Sequence, residues 1–194
     1  MKERRLIVAS ASPRRRELLA QAGFVFQVEP SDADETLPEG VTPAAAVELL
    51  ASRKAQSVAE KHPDDVVLGC DTIVALEGEK LGKPQTAADA KAMLRRLSGK
   101  THMVYTGVCI TDGTRTERFV SATDVTFYPL DAQTIDAYVA TGEPMDKAGA
   151  YGIQGLGSVL VQSFSGDYFT VVGLPLAQCA RVLADFGIEG KIKL

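Results

Sequence analysis

The chain has 194 residues, 45% hydrophobic and 24% charged, the composition of a soluble globular protein long enough for one sizeable α/β domain or two small lobes sharing a cleft. Its 25 acidic and 21 basic residues leave a net charge of −4, which argues against the basic field that non-specific nucleic-acid binding requires. No apolar run approaches the ~20 residues of a membrane span, and the charged start from Met1 to Arg5 leads into an apolar run too short for a signal peptide.

In chain order, Leu6-Ile7-Val8-Ala9 reads as a buried strand. Ser12 follows as a helix N-cap and Pro13 as the first helical residue, where a fixed φ and a missing N–H cost nothing. Arg14, Arg15 and Arg16 then fall in the first helical turn. That turn carries the positive end of the helix dipole, where a cation is unfavourable by roughly 0.3–1 kcal/mol. Stacking arginines there makes sense if an anion completes the site. Strand, short Ser-rich loop, helix start and basic side chains together make a phosphate cradle. Some of the three arginines can simply point into water; at least one is expected to bind an anion. Because the positive charge is local, that anion is a small ligand rather than a polymer.

The first helix is predicted from Pro13 to near Gly23. Phe24 to Glu29 alternates like a strand, and Pro30 to Gly40 is an acidic loop holding Asp32, Asp34 and Glu35. Thr42-Pro43 opens a long Ala-rich helix ending near His62-Pro63. Val66 to Leu76 is strongly apolar, interrupted by Gly69-Cys70-Asp71-Thr72 and turned back at Glu77-Gly78. Thr86 with Asp89 resembles a capping box for a helix ending at Ser98-Gly99. Thr101 to Asp112 and Thr116 to Phe127 read as a long hairpin around Asp112-Gly113. Asp131 caps a helix ending at Gly142, and Glu143 to Gly157 is a Gly-rich loop. Ser158 to Ser163 and Tyr168 to Val172 read as a second hairpin through Ser165-Gly166-Asp167, and a final helix follows Gly173-Leu174-Pro175. Strands and helices mix without strict βαβ alternation, which predicts an α/β protein with a mixed rather than purely parallel sheet.

Asp71 is the second strong signal. A carboxylate inside a segment that must be mostly buried is costly unless it is paired, hydrogen-bonded or bound to metal. Gly69 beside it suggests a kink or a close ligand approach. The structural alternative is a carboxylate capping a turn or pairing with a core lysine. Lys54 lies on the long helix, Lys83 follows Gly82 in a loop, and Glu35 is one acid among several; each alone reads as an ordinary surface charge. Together they form the set that phosphoryl chemistry wants: cations for phosphate oxygens, carboxylates for a metal, and one base for water. With only His62 and His102 available, a metal site would be oxygen-ligated, favouring magnesium or manganese. Cys70, Cys109 and Cys179, odd in number and widely spaced, read as buried free thiols in a reducing cytoplasm. Cys70 is assigned to packing rather than to a nucleophilic role. Gly149, Gly152, Gly155 and Gly157 could cradle phosphate, but the P-loop Lys-Ser/Thr ending is missing. A loop closing over a base, with Gln154 as its polar reader, and a turn-rich connection are the other readings.

At this point the residues carry a resemblance. Ala9-Ser10-Ala11-Ser12-Pro13-Arg14-Arg15, Asp34-Glu35, Arg53-Lys54-Ala55, Gly69-Cys70-Asp71-Thr72, Gly82-Lys83-Pro84 and the run from Asp146 to Gly155, followed by Val172-Gly173-Leu174-Pro175, resemble in order the blocks of the Maf family. These are nucleoside triphosphate pyrophosphatases, also called septum formation inhibitor proteins. The resemblance spans nearly the whole chain and implies one Maf-like domain over residues 1–194. It implies a twisted mixed sheet in two lobes around a central cleft, akin to inosine triphosphate pyrophosphatases. It further implies divalent-metal-dependent hydrolysis between the α and β phosphates, giving a nucleoside monophosphate and pyrophosphate, with a house-cleaning role against non-standard nucleotides. Homodimers are common in such a family, and a link to septum formation follows from its name.

Under that resemblance Asp71 activates water as a base or positions it as a metal ligand, and Glu35 helps hold magnesium or manganese. Ser10, Ser12, Arg14, Arg15, Lys54 and Lys83 orient and neutralise the triphosphate. Arg14, Thr72 and Gln154 resemble the branch acting on dTTP and UTP, whereas the branch acting on 7-methyl-GTP tends to carry an aromatic residue, Gln and Glu. The chemistry agrees, because a Gln amide both donates and accepts, matching the alternating edge of uracil or thymine. An aromatic with a carboxylate better suits a methylated guanine. A 7-methyl-GTP pyrophosphatase and a non-catalytic nucleotide-sensing division regulator are the competing readings.

Overall fold

The computed structural model describes residues 4–194; Met1, Lys2 and Glu3 of the charged start lie outside the described residues. Contacts divide the chain into two compact units, each discontinuous in sequence. The first comprises Met1–Asp71, Thr106–Ser121 and Gly173–Leu194; the second comprises Thr72–Tyr105 and Ala122–Val172.

The first unit is built on β1 (Leu6–Val8), which pairs in parallel with β2 (Phe26–Val28) and with β3 (Val66–Leu76). A central parallel strand is buried on both faces, so it reads as an unbroken apolar run. Leu6, Ile7 and Val8 are accordingly sealed from solvent, as are Val66, Val67 and Leu68. Between β1 and β2 lies α1 (Pro13–Gln21), with proline in its first turn and Gly23 just beyond its end at a φ of 77°. The long helix α2 (Pro43–Ala59) starts at Thr42, whose hydroxyl accepts from the Ala45 amide. Its inward face is small: Ala51, Ala55 and Val58 pack with Ile7, Ala9, Val67 and Cys109.

That small face explains Gly69. A Cβ there would lie 2.3 Å from the Ala51 carbonyl oxygen and 2.6 Å from the Ala55 amide nitrogen. Strand β3 runs unbroken through Gly69 from Val66 to Leu76. The close approach is made by the backbone of α2.

In the second unit β3 turns at Glu77-Gly78, both with positive φ, into β4 (Glu79–Leu81), which pairs antiparallel with it. Helix α3 (Ala87–Leu97) carries the full predicted capping box of Thr86 and Asp89. It packs on α4 (Ala132–Ala140), capped by Asp131. Strands β5 (Thr101–Thr111) and β6 (Thr116–Phe127), like β3, run through both units. Among the described residues seven strands form one mixed sheet, ordered β2-β1-β3-β5-β6-β7 with β4 paired to β3.

The segment after Gly142 departs from expectation. It forms three 3₁₀ turns, Glu143–Asp146, Ala148–Ala150 and Gly155–Leu160. Then β7 (Val161–Ser165) pairs antiparallel with β6, and Tyr168–Val172 is a short helix, α5, rather than the returning strand of a hairpin. The reason is local. Asp167 caps this helix, its carboxylate accepting from the Thr170 amide and hydroxyl at 2.7 Å each. Helix α6 (Leu176–Asp185) closes the first unit.

Within the second unit His102, Phe127 and Tyr151 pack edge to face with ring centroids 4.7–5.3 Å apart. His102 shares a 2.7 Å hydrogen bond with the Tyr151 hydroxyl, and burial lowers its pKa to about 4, so it is neutral there.

Candidate active site

Asp71 stands at the end of the fully buried stretch of β3, and Lys54 lies on the inward side of α2 one residue before Ala55. Because α2 seats its backbone against Gly69, the Lys54 ammonium reaches the carboxylate two residues further along the strand. Lys54 Nζ donates to Asp71 Oδ1 at 2.7 Å and lies 2.8 Å from Glu35 Oε1. Lys54 and Asp71 are 15% and 14% exposed, whereas Glu35 is 64% exposed. Burial alone would pull the ammonium's pKa down, but Asp71 and then Glu35 outweigh it and hold the pKa above the usual lysine value. The lysine is therefore a fixed cation between two carboxylates. The structural alternative for Asp71, pairing with a core lysine, is realised in the same contact that would organise it for chemistry.

Arg53, the neighbour of Lys54, fixes the loop that carries Glu35. Its guanidinium donates to the Asp34 and Thr36 carbonyls at 3.0 and 2.6 Å, one residue either side of Glu35. Adjacent residues of one helix thus grip the backbone on either side of Glu35 and the Glu35 side chain. Sequence reasoning noticed Arg53 only as part of a matched block; its bonds to loop carbonyls leave no spacing signal.

Among the described residues no group of three or more His, Cys, Asp or Glu side chains gathers to hold a metal ion. The donors at hand, Glu35 and Asp71, are oxygens alone. They meet on one cation, and one or two carboxylates with water and phosphate oxygens are the usual company of magnesium. The residue types fit such an ion, with the remaining coordination coming from outside the protein.

The loop before α1 forms a second connected group. Ser12 occupies the N-cap position with extended dihedrals, but its side chain makes no capping bond. Its amide instead donates to Ser10 Oγ at 3.3 Å, which folds the loop on itself. Arg15 is buried, donating through Nη1 to Ser10 Oγ at 2.9 Å and through Nε to the Gly173 carbonyl at 2.8 Å. The Cys70 thiol donates to that same carbonyl at 3.2 Å. Gly173, in the Val172–Pro175 block, is thereby the acceptor that ties helix α1 and strand β3 to the start of α6. Arg14 is half-buried and Arg16 exposed. Burial pushes the Cys70 thiol's pKa up, as suits packing rather than nucleophilic attack.

Thr72, Lys83 and Gln154 belong to the second unit. Thr72 is half-buried on β3, and Lys83 is exposed in the loop after β4. The preceding Gly82 carbonyl accepts from the Gly149 amide at 3.1 Å, which joins this loop to the Gly-rich segment. Gln154 is exposed at the start of the third 3₁₀ turn. In the first unit the structure brings together Glu35 with Lys54 and Asp71, and Ser10 with Ser12 and Arg15; Thr72, Lys83 and Gln154 sit on three different elements of the second.

The mixed sheet with its flanking helices places the chain in a known class of α/β folds. A HAM1 protein from Coxiella burnetii shares the fold, with a TM-score of 0.51 covering 94% of this chain and all of that one, at 13% sequence identity. The family is defined more sharply by sequence: residues 5–186 match the family described as Maf-like protein. A dTTP/UTP pyrophosphatase of Bacillus cereus (strain AH820) is 52% identical over 186 residues, covering 96% of this chain and 97% of the relative. One from Moorella thermoacetica is 54% identical over 187 residues, covering 95% and 96%. The chain belongs to the Maf family.

Proposed function

We propose that this chain is a nucleoside triphosphate pyrophosphatase that cleaves dTTP and UTP, releasing the nucleoside monophosphate and pyrophosphate. The observation that carries the reading is the Lys54 ammonium held at 2.7 Å from Asp71 and 2.8 Å from Glu35, in a chain about half identical to relatives named dTTP/UTP pyrophosphatase. Water adds to phosphorus across the α–β anhydride, the bond to the bridging oxygen breaks, and pyrophosphate departs with the charge. Lys54, donating to Asp71 Oδ1 at 2.7 Å, keeps that carboxylate aimed. Asp71 serves the attacking water, either by accepting its proton or by holding an ion beside it. Glu35 and Asp71 would hold magnesium or manganese, which when bound offsets phosphate charge and acidifies water.

Ser10, Ser12, Arg14 and Arg15 at the start of α1 meet the phosphates, with Lys54 and Lys83 adding cations. Arg15 has Nε and Nη1 committed within the protein, so it contributes charge and keeps Ser10 in place. Thr72 and Gln154 read the pyrimidine, the Gln amide matching an edge that both accepts and donates. Residues 1–194 act as one catalytic domain under this reading. The buried free thiols suit a reducing cytoplasm, and among the described residues no helix is long and apolar enough to cross a membrane. Removal of non-standard nucleotides, a homodimeric state and a link to septum formation belong to the same proposal.

The test is pyrophosphate release from a panel of nucleoside triphosphates, with magnesium, with manganese and with chelator. Metal-dependent release led by dTTP and UTP is expected. Release led by 7-methyl-GTP would overturn the base assignment, and nucleotide binding without release would favour a non-catalytic sensor. Asp71→Asn is expected to abolish turnover while leaving the circular dichroism spectrum unchanged; a variant with wild-type kcat would refute the role given to Asp71.

A further inference from the structure

Gln154 sits at the N-cap position of the 3₁₀ turn Gly155–Leu160, yet its side chain makes no capping bond. The turn's leading amides still need acceptors. Glu143 supplies them from the other end of the loop. Its Oε2 accepts from the Leu156 amide at 2.9 Å and its Oε1 from the Gly157 amide at 2.9 Å. Tyr138 on α4 completes the arrangement: its hydroxyl donates to Glu143 Oε1 at 2.9 Å and accepts from the Gly152 amide at 3.2 Å. The backbone is therefore pinned at residue 152 and again at 156 and 157, on both sides of Gln154. The glycines make room for this clamp. A Cβ at Gly155 would lie 2.8 Å from Glu143 Oε2, and one at Gly157 would lie 2.6 Å from the Tyr138 hydroxyl oxygen. Burial pushes the Glu143 carboxyl's pKa up, but the Leu156 and Gly157 amides, the Tyr138 hydroxyl and Lys147 outweigh it, so the group is ionised at neutral pH.

We infer that Glu143, braced by Tyr138, is a positioning residue for pyrimidine recognition: it takes over the capping of the turn so that the Gln154 amide is left to read the base. This rests on the assignment of Gln154 proposed above. A pre-organised reader loses less freedom on binding, so weakening the clamp acts on affinity and selectivity rather than on the chemical step.

The experiment measures kcat and KM for pyrophosphate release from dTTP and dGTP in wild type, E143A, Y138F, Q154A and E143A/Q154A, with folding checked by thermal melting. E143A is expected to raise KM for dTTP about tenfold, the scale of losing charge-assisted hydrogen bonds, with kcat changed less than about twofold. The dTTP-over-dGTP preference falls in parallel, and Y138F moves both quantities the same way by less. In the Q154A background E143A adds nothing further, because the two residues act as one. A folded E143A or Y138F with wild-type KM and preference overturns the inference, as does an E143A effect that persists undiminished without Gln154. If E143A does not fold, Y138F, which loses one hydroxyl, decides. A Q154A enzyme that keeps the wild-type preference instead refutes the base-reading assignment itself, whatever Glu143 does.

Discussion

Lys54 has two duties that substitution can separate. It pairs with the half-buried Asp71 carboxylate, and under the proposed function it supplies a cation beside the scissile phosphates. Asp71→Asn removes one charge but preserves shape, and the lysine retains Glu35 as a partner at 2.8 Å. Lys54→Met leaves Asp71 and Glu35 facing each other with no ammonium, and Asp71 is only 14% exposed. Leaving a charged group without its partner costs about 1–3 kcal/mol. Lys54→Met is thus expected to lose turnover and to unfold at clearly lower urea, whereas Asp71→Asn loses turnover with a much smaller shift in midpoint. Equal midpoints for the two variants would mean that the ion pair contributes to function alone.

Two element-level devices can be tested by substitution, and the first of them bears on the position of Asp71. The first is the contact between α2 and β3 at Gly69. Gly69→Ala would force a methyl group to within 2.3 Å of the Ala51 carbonyl, so helix and strand must part. Overpacking of this kind costs about 1–3 kcal/mol, and here it also moves Lys54 away from Asp71; a lower melting temperature together with reduced kcat is expected. The second is the turn joining β5 and β6. Asp112 Oδ1 accepts from the Arg115 and Thr114 amides at 2.8 and 3.0 Å and from the Thr114 hydroxyl at 2.8 Å. The Arg115 amide first, then the Thr114 groups and Arg4, lower its pKa from 3.8 to about 2 despite partial burial. A carboxyl depressed in the folded state stabilises above its unfolded pKa, and that contribution is lost as pH falls through the folded value. Asp112→Asn is expected to be less stable than wild type at pH 6 by urea unfolding, with the gap closing between about pH 4 and pH 2. A gap independent of pH would show that the bonds do not depend on the charge. The turn was legible in the sequence, as were the capping box at Thr86 and the bounds of β3, because each rests on residues a few places apart. Tyr168–Val172 was misread as strand because its β-branched and aromatic residues favour extended backbone, and five residues of propensity yield to one capping carboxylate at Asp167. Glu143 left no signal at all: the amides it caps lie 13 and 14 residues downstream.

At the scale of the whole molecule the sequence places its spectroscopic and chemical probes in separate units. Cys70, Cys109 and Cys179 all lie in the first, buried and unpaired by disulfide. The five tyrosines, Tyr105, Tyr128, Tyr138, Tyr151 and Tyr168, all lie in the second, and no tryptophan masks them. Burial pushes the thiols of Cys70 and Cys109 up in pKa, so they are doubly protected from attack, by access and by protonation. Labelling with DTNB therefore reports the opening of the first unit, and tyrosine emission the opening of the second. Strands β3, β5 and β6 contribute residues to both units. Urea titrations followed by the two probes are expected to superpose on one cooperative transition. Thiol labelling that precedes the change in tyrosine emission would instead mean that the unit carrying Glu35, Lys54 and Asp71 opens on its own. The ion pair would then be found in the less stable part of the protein.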